Sequence, residues 1–209
     1  MNLIKTIFLV RHGKTAYNDD DLLQGSIDLP ISESGKKEAE LLAQELQNEK
    51  FDVFFHSPLK RALQTAEIVN KHHKKPFKEI PCFSEIEVGQ WEGLNYFDMI
   101  ANNNEIFLAW LQDPTVEIPG GESLCQVFER VKPGVQEILA SPFSHILIAA
   151  HAAVNRGILA ALLNIKPEPA RMFRMKNGAY SKFLVYESGR HMFTVVESWN
   201  NNKHLENIR

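Results

Sequence analysis

Cysteine is scarce in this sequence. Cys82 and Cys125 stand far apart among 209 residues, with no metal-ligand spacing. That excludes a framework of several disulfides and reads as free thiols in a reducing compartment, with one disulfide as the alternative. A basic excess is also missing. The formal net charge is -3, so no overall positive field points to nucleic acid. Long apolar runs are absent too. The N-terminal "MNLIKTIFLV" is too short to span a bilayer and has no small-residue cleavage site. A cytoplasmic protein with neither membrane nor nucleic acid as partner is expected. One further gap is local. No Lys or Arg occurs between Lys78 and Arg130, while Glu85–Glu129 holds nine acidic residues.

The chain is 44 % hydrophobic and 23 % charged, which suits a large core in a single domain spanning residues 1–209. Thr6–Val10, "DVFFHS" and Ser144–Ala150 are continuous apolar runs, the pattern of strands buried on both faces. Between them, "ESGKKEAELLAQELQNE" sets Ala39, Leu42, Ala43 and Leu46 on one helical face. Ser57-Pro58 has the form of an N-cap with proline at the first helical position, which predicts a helix from there to about His72. A further helix is expected over Ala153–Leu163. "YSKFLVYE" and "HMFTVVES" flank Ser188-Gly189-Arg190 as a hairpin. Strands alternating with helices predict an α/β fold, a three-layer α/β/α sandwich on a mostly parallel sheet. The stretch from about 81 to 121 breaks the rhythm. It reads as a small insert covering the strand ends, with a helix around Glu105–Leu111. The polar tail "NNKHLENIR" is expected to fray.

Ligands bind outside the carboxyl ends of the strands in open α/β sheets. Those ends deliver Arg11-His12, His56-Ser57 with Arg61 one turn on, and His151. Glu85, on the insert, is placed to hang over them. Taken singly, each has a plain structural explanation: a hydrogen-bonded histidine, a surface ion pair, a solvated glutamate. Metal binding is a further reading of the histidines, but none has His-x-x-x-His spacing. Together they suit a phosphoryl group. Arginine forks match phosphate oxygens, helix N-termini add N–H donors, and neighbouring positive charge keeps an imidazole neutral and nucleophilic. A carboxylic acid above them would protonate a leaving oxygen.

The motifs resemble the histidine phosphatase superfamily, also called phosphoglycerate mutase-like. They run in order over nearly the whole chain: "LVRHGKTAYN", "LLQGSIDLPISESGKKEA", "SPLKRALQTAEIV", "EIEVGQWEGL", "PGGES" and "LIAAHAAVNRGIL". The resemblance implies that His12 accepts the phosphoryl group as a phosphohistidine. It implies that Arg11, Arg61 and His151 clamp the phosphoryl oxygens, that Asn18 adds an amide donor and that Gln24 borders the pocket. Glu85 would be the acid, with Glu87 as the alternative. Neither metal nor other cofactor is implied. Lys14 stands where glutamate is common, and Ala152-Ala153 where glycine is common. Alanine still supplies backbone N–H groups, so phosphate binding at Ala152 is expected to survive.

Within the family, the cation-free insert argues against a mutase, which must hold a second phosphate. "GQWEG" with "PGGES" looks more like the phosphatases. The expected activity is hydrolysis of a small phosphomonoester, similar to the α-ribazole phosphatases or the broad-specificity phosphatases. The expected substrate has one phosphate and a neutral, cationic or aromatic remainder. Mutase-type transfer and phospho-ligand binding without turnover are the alternatives. Trp91, Tyr96, Phe97, Phe107 and Trp110 offer an apolar wall, with about half of them expected to pack the insert's own core. The terminal strands offer an edge for a homodimer.

Overall fold

A strand that is apolar at every position needs cover on both faces. That cover is present in the computed structural model, which describes residues 1–102 and 104–206. In chain order the elements are β1 (Asn2–Arg11), α1 (Ala16–Asp19), α2 (Glu33–Leu46), β2 (Val53–His56), α3 (Lys60–Asn70) and β3 (Phe77–Glu79). Then come α4 (Tyr96–Ala101), α5 (Glu105–Gln112), α6 (Leu124–Ala140), β4 (His145–Ala150), α7 (Ala152–Leu163), α8 (Pro167–Ala170), β5 (Tyr180–Ser188) and β6 (His191–Asn201). The strands make one sheet in the order β3-β2-β4-β1-β5-β6. β3, β2, β4 and β1 run parallel, and the β5–β6 hairpin continues the sheet antiparallel to β1.

Successive side chains of a strand point to opposite faces, and the core divides accordingly. Ile7, Leu9, Val53, Phe55, Ile146 and Ile148 pack with α6, α7 and the 81–121 segment. Phe8, Val10, Phe54, Leu147 and Ala149 pack against α2 and α3. This is the expected three-layer arrangement. The insert joins the first of these cores through Phe83, Trp91, Met99, Phe107 and Ile118. "PGGES" ends in a cap for α6. Ser123 Oγ accepts from the Gln126 N–H at 3.2 Å, and Gln126 Oε1 accepts from the Ser123 N–H at 2.7 Å.

Two local expectations are corrected. α3 starts at Lys60, with Leu59 as N-cap and no side-chain cap bond. Ser57 stays outside the helix: its Oγ accepts from the Leu59 N–H at 3.2 Å, which tightens the turn before Lys60, and it also meets a histidine described below. The tail is not frayed as far as residue 206. Lys203–Leu205 form a 3-10 turn that packs on α2, and His204 Nε2–H donates to the Gly178 carbonyl at 2.9 Å. The rest of the tail lies outside the described residues. No helix among the described residues is long and apolar enough to cross a membrane.

Candidate active site

Parallel register brings the three strand ends level. Arg11 pairs with Ala150 and His56 with Ala149. The ladder continues past the strands: the His12 N–H donates to the Ala150 carbonyl and the Ser57 N–H to the Ala149 carbonyl. His12, Ser57 and His151 therefore leave the sheet side by side. Gly13 lets the chain turn there under α2. A Cβ on Gly13 would lie 2.3 Å from the Gly35 carbonyl oxygen, and one on Gly35 would lie 2.0 Å from the Lys14 oxygen. Only two bare backbones pass that closely.

The imidazoles of His12 and His151 are 5.0 Å apart between centroids, and both are buried. His12 Nδ1 lies 2.7 Å from the Gly13 carbonyl. A carbonyl only accepts, so Nδ1 carries the proton and Nε2 keeps a free lone pair. In His151 the order is reversed. Its Nδ1 accepts from Arg61 Nε–H at 3.2 Å, so Nε2 is protonated and donates to Ser57 Oγ at 2.6 Å. Ser57 Oγ makes that contact besides accepting from the Leu59 N–H ahead of α3. Burial holds both imidazoles well below the ordinary histidine pKa, and the Arg61 charge lowers them further. Positive charge was expected to be the cause, but desolvation is the larger one.

Arg61 is 1 % exposed. Besides His151 it donates to the Ile27 carbonyl at 2.6 Å and the Gly25 carbonyl at 2.7 Å, which leaves two of its five N–H groups uncommitted. Arg11 donates from Nη1 to the Met175 carbonyl at 2.7 Å, and its buried Nε has no partner among the described residues. Burial lowers both guanidiniums to about 10, against the opposing pull of Glu85. Both are still cations near neutral pH.

Glu85 is buried against the start of α7. Its oxygens accept from the Ala153 and Val154 N–H groups, each at 3.3 Å. Glu87 is exposed and turned away, accepting from Ser26 Oγ at 2.6 Å. Asn18 uses its Oδ1 on Thr15 and Asn177, leaving its Nδ2 without an acceptor among the described residues. Gln24 spends its oxygen on Thr15 Oγ1 and one N–H on the Ile27 carbonyl, so it ties the 24–27 loop together. Lys14, where glutamate is common in the family, pairs with Asp19 at 3.4 Å.

A cavity of about 1000 Å³ opens beside Arg11 and Ala152, the chain neighbours of the two histidines. Tyr96, Trp110, Leu111 and Leu124 form its apolar wall. Trp91 and Phe107 are core residues and Phe97 is exposed, so the aromatic set divides as expected. The expected shortage of cations is corrected here. Arg156, Arg171, Arg174 and Lys176 line the cavity together with Arg11 and Lys14. They come from α7 and from the strap after α8, not from the insert. Arg156 was legible, because it lies four residues after Ala152 and so on the same helix face. Arg171 and Arg174 had no sequence signal. Thr65 and Asn177 had no sequence signal either, and Ser57 was legible at its strand end but not as a partner of His151. Thr65 Oγ1 accepts from the Gly13 N–H at 3.0 Å, and Asn177 Nδ2 donates to the His12 carbonyl at 3.1 Å.

Known proteins share this arrangement over most of their length. Phosphoserine phosphatase 1 of Hydrogenobacter thermophilus is 36 % identical over 178 residues, 84 % of each chain. The adenosylcobalamin/α-ribazole phosphatase of Escherichia coli is 31 % identical over 179 residues, 84 % of this chain and 87 % of that one. The solved structure of a mycobacterial glucosyl-3-phosphoglycerate phosphatase superposes with a TM-score of 0.84 at 26 % identity, covering 95 % of this chain and 99 % of that one. Residues 7–202 match the family model described as histidine phosphatase superfamily (branch 1). Since that match takes in every strand end from which the site is built, the chain belongs to branch 1 of the histidine phosphatase superfamily and is a phosphomonoesterase of small phosphorylated metabolites.

Proposed function

We propose that hydrolysis runs through a phosphohistidine on His12, with no metal ion taking part. One observation carries the reading: Nδ1–H of His12 is fixed on the Gly13 carbonyl, so the free lone pair is on Nε2 in a ring held neutral by burial. Nε2 attacks phosphorus, and the ester P–O bond breaks. The leaving oxygen takes a proton from the Glu85 carboxylic acid. Water then attacks phosphorus and gives a proton to the Glu85 carboxylate. The P–N bond breaks, its electron pair returns to Nε2, and inorganic phosphate leaves. Arg11, Arg61 and the Nε2–H of His151, which turns from Ser57 Oγ to a phosphoryl oxygen when substrate binds, stabilise the charge that builds on the phosphoryl oxygens. Asn18 Nδ2 and the Ala152 N–H are further donors to those oxygens, while Gln24 acts by holding the 24–27 loop.

The test is phosphate release in EDTA, wild type beside His12→Ala. The panel is α-ribazole phosphate, phosphoserine, 3-phosphoglycerate and p-nitrophenyl phosphate. A fall of about 100-fold or more, roughly 3 kcal/mol of transition-state stabilisation, is expected for the variant. Wild-type turnover by His12→Ala would remove the covalent mechanism. Phosphate moving between positions of 3-phosphoglycerate only with a bisphosphate primer would replace hydrolysis with mutase chemistry.

A further inference from the structure

We propose that the substrate carries a second anionic group, received by Arg156, Arg171 and Arg174 while its phosphoryl group lies against His12. The preferred substrate is then a phosphorylated oxyacid or a bisphosphate, not a phosphoalcohol with an uncharged remainder. This rests on the phosphoryl site proposed above.

Two of the three guanidiniums are held by neutral acceptors, and Arg174 is exposed. Arg156 Nε–H donates to the Phe173 carbonyl at 3.2 Å, and Arg171 Nη1 donates to the Leu111 carbonyl at 2.7 Å. Neither bond brings a negative charge. Among the described residues no carboxylate pairs with any of the three, and the buried Nε of Arg171 has no partner at all. Glu85 attracts Arg156, while Arg174 and Arg11 repel it. The one carboxylate in the lining, Glu38, already accepts from the Lys14 N–H at 2.8 Å.

The strap that carries Arg171 and Arg174 is fixed at successive residues. Trp199 Nε1–H donates to the Arg174 carbonyl at 2.8 Å, and Arg11 donates to the Met175 carbonyl at 2.7 Å. The Lys176 N–H donates to Asn200 Oδ1 at 2.8 Å. The strap's backbone is therefore ordered before a ligand arrives, which lowers the cost of ordering it on binding. A phosphate dianion is already matched by Arg11 and Arg61, so the remaining cations are surplus to one phosphoryl group. Guanidinium forks bind carboxylate or phosphate oxygens in pairs. The apolar wall of Trp110 and Leu111 beside them lowers the local polarity, which strengthens the attraction.

The experiment measures kcat/KM for two matched pairs: phosphoserine against phosphoethanolamine, and fructose 1,6-bisphosphate against fructose 6-phosphate. The first pair isolates a carboxylate and the second a phosphate. Wild type should prefer the doubly anionic member of at least one pair by about 10-fold or more. In Arg174→Gln and Arg171→Gln, checked for folding by circular dichroism, that ratio should collapse toward one. No preference in either pair, or a preference that survives both substitutions, overturns the proposal. Calorimetric titration of His12→Ala with the same four esters reads the subsite without turnover. Tighter binding of the doubly anionic members supports it, and equal binding within both pairs overturns it. Failure of wild type on all esters, p-nitrophenyl phosphate included, would instead overturn the phosphohistidine reading, and the titration would still decide the anion site.

Discussion

Acidifying the protein from about pH 8 to about pH 5.5 should cost the fold roughly 3 kcal/mol through His12 and His151 alone. Both imidazoles are buried and held neutral, with pKa values well below the 6.5 of an exposed ring. In the unfolded chain each returns to 6.5. Below that pH the unfolded state binds the extra protons, so stability rises with pH across the window between the folded-state pKa and 6.5. The contribution is full above 6.5 and is lost as the pH falls toward the folded value. One pH unit below the unfolded pKa, each histidine favours unfolding by about 1.4 kcal/mol. The assay is urea unfolding at the two pH values for wild type, His12→Gln and His12→Gln/His151→Gln. Each substitution should remove about 1.4 kcal/mol of the pH-dependent loss. Glu38, which burial raises, works in the opposite direction, but it is common to all three proteins and cancels. If His12→Gln keeps the full wild-type difference, His12 takes up its proton in the folded protein. The neutral nucleophile is then wrong.

Glu85→Gln should lower turnover of phosphoserine at least ~10-fold more than that of p-nitrophenyl phosphate, whose leaving group needs no proton. Equal losses, or the same signature in Glu87→Gln, would move the acid away from Glu85. Thr65→Val keeps the shape but leaves the buried Gly13 N–H without its acceptor, so a loss of about 1–3 kcal/mol is expected in thermal or urea unfolding. An unchanged midpoint would mean the bond contributes nothing. Gly35→Ala drives a methyl toward the Lys14 carbonyl and should cost about 1–3 kcal/mol or more. Wild-type stability and activity together would show that α2 can retreat without disturbing His12.

The sequence makes plain what is local and leaves out what converges. β1, β2 and β4 are legible because parallel strands buried on both faces must be apolar throughout, and their ends then place Arg11, His12 and His151 without further information. Ser57-Pro58 misleads because a serine before a proline scores as a cap wherever it occurs. Nothing local tells that Oγ faces a histidine from another strand at 2.6 Å. The insert is free of cations, as its sequence says, yet the cavity is not. The insert was judged as the cavity's cover and found acidic, but a cavity takes its charge from every segment around it. Arg171 and Arg174 reach it on a strap held by Arg11, Leu111, Trp199 and Asn200, residues scattered over most of the chain. The tail's polar composition concealed a turn that docks through one ring bond to the Gly178 carbonyl.

The backbone of His12 is completed by a segment far along the chain. The Gly178 N–H donates to the carbonyls of Arg11 and His12, at 3.1 and 3.2 Å, and β5, which begins at Tyr180, covers the free edge of β1. A ribosome making this protein therefore releases His12 well before Gly178, and the backbone bonds that complete its surroundings form only once the segment beyond residue 178 has followed. Chains that stop short of that segment are expected to be inactive. Activity measured during synthesis would report completion of the sheet, not the appearance of the motif.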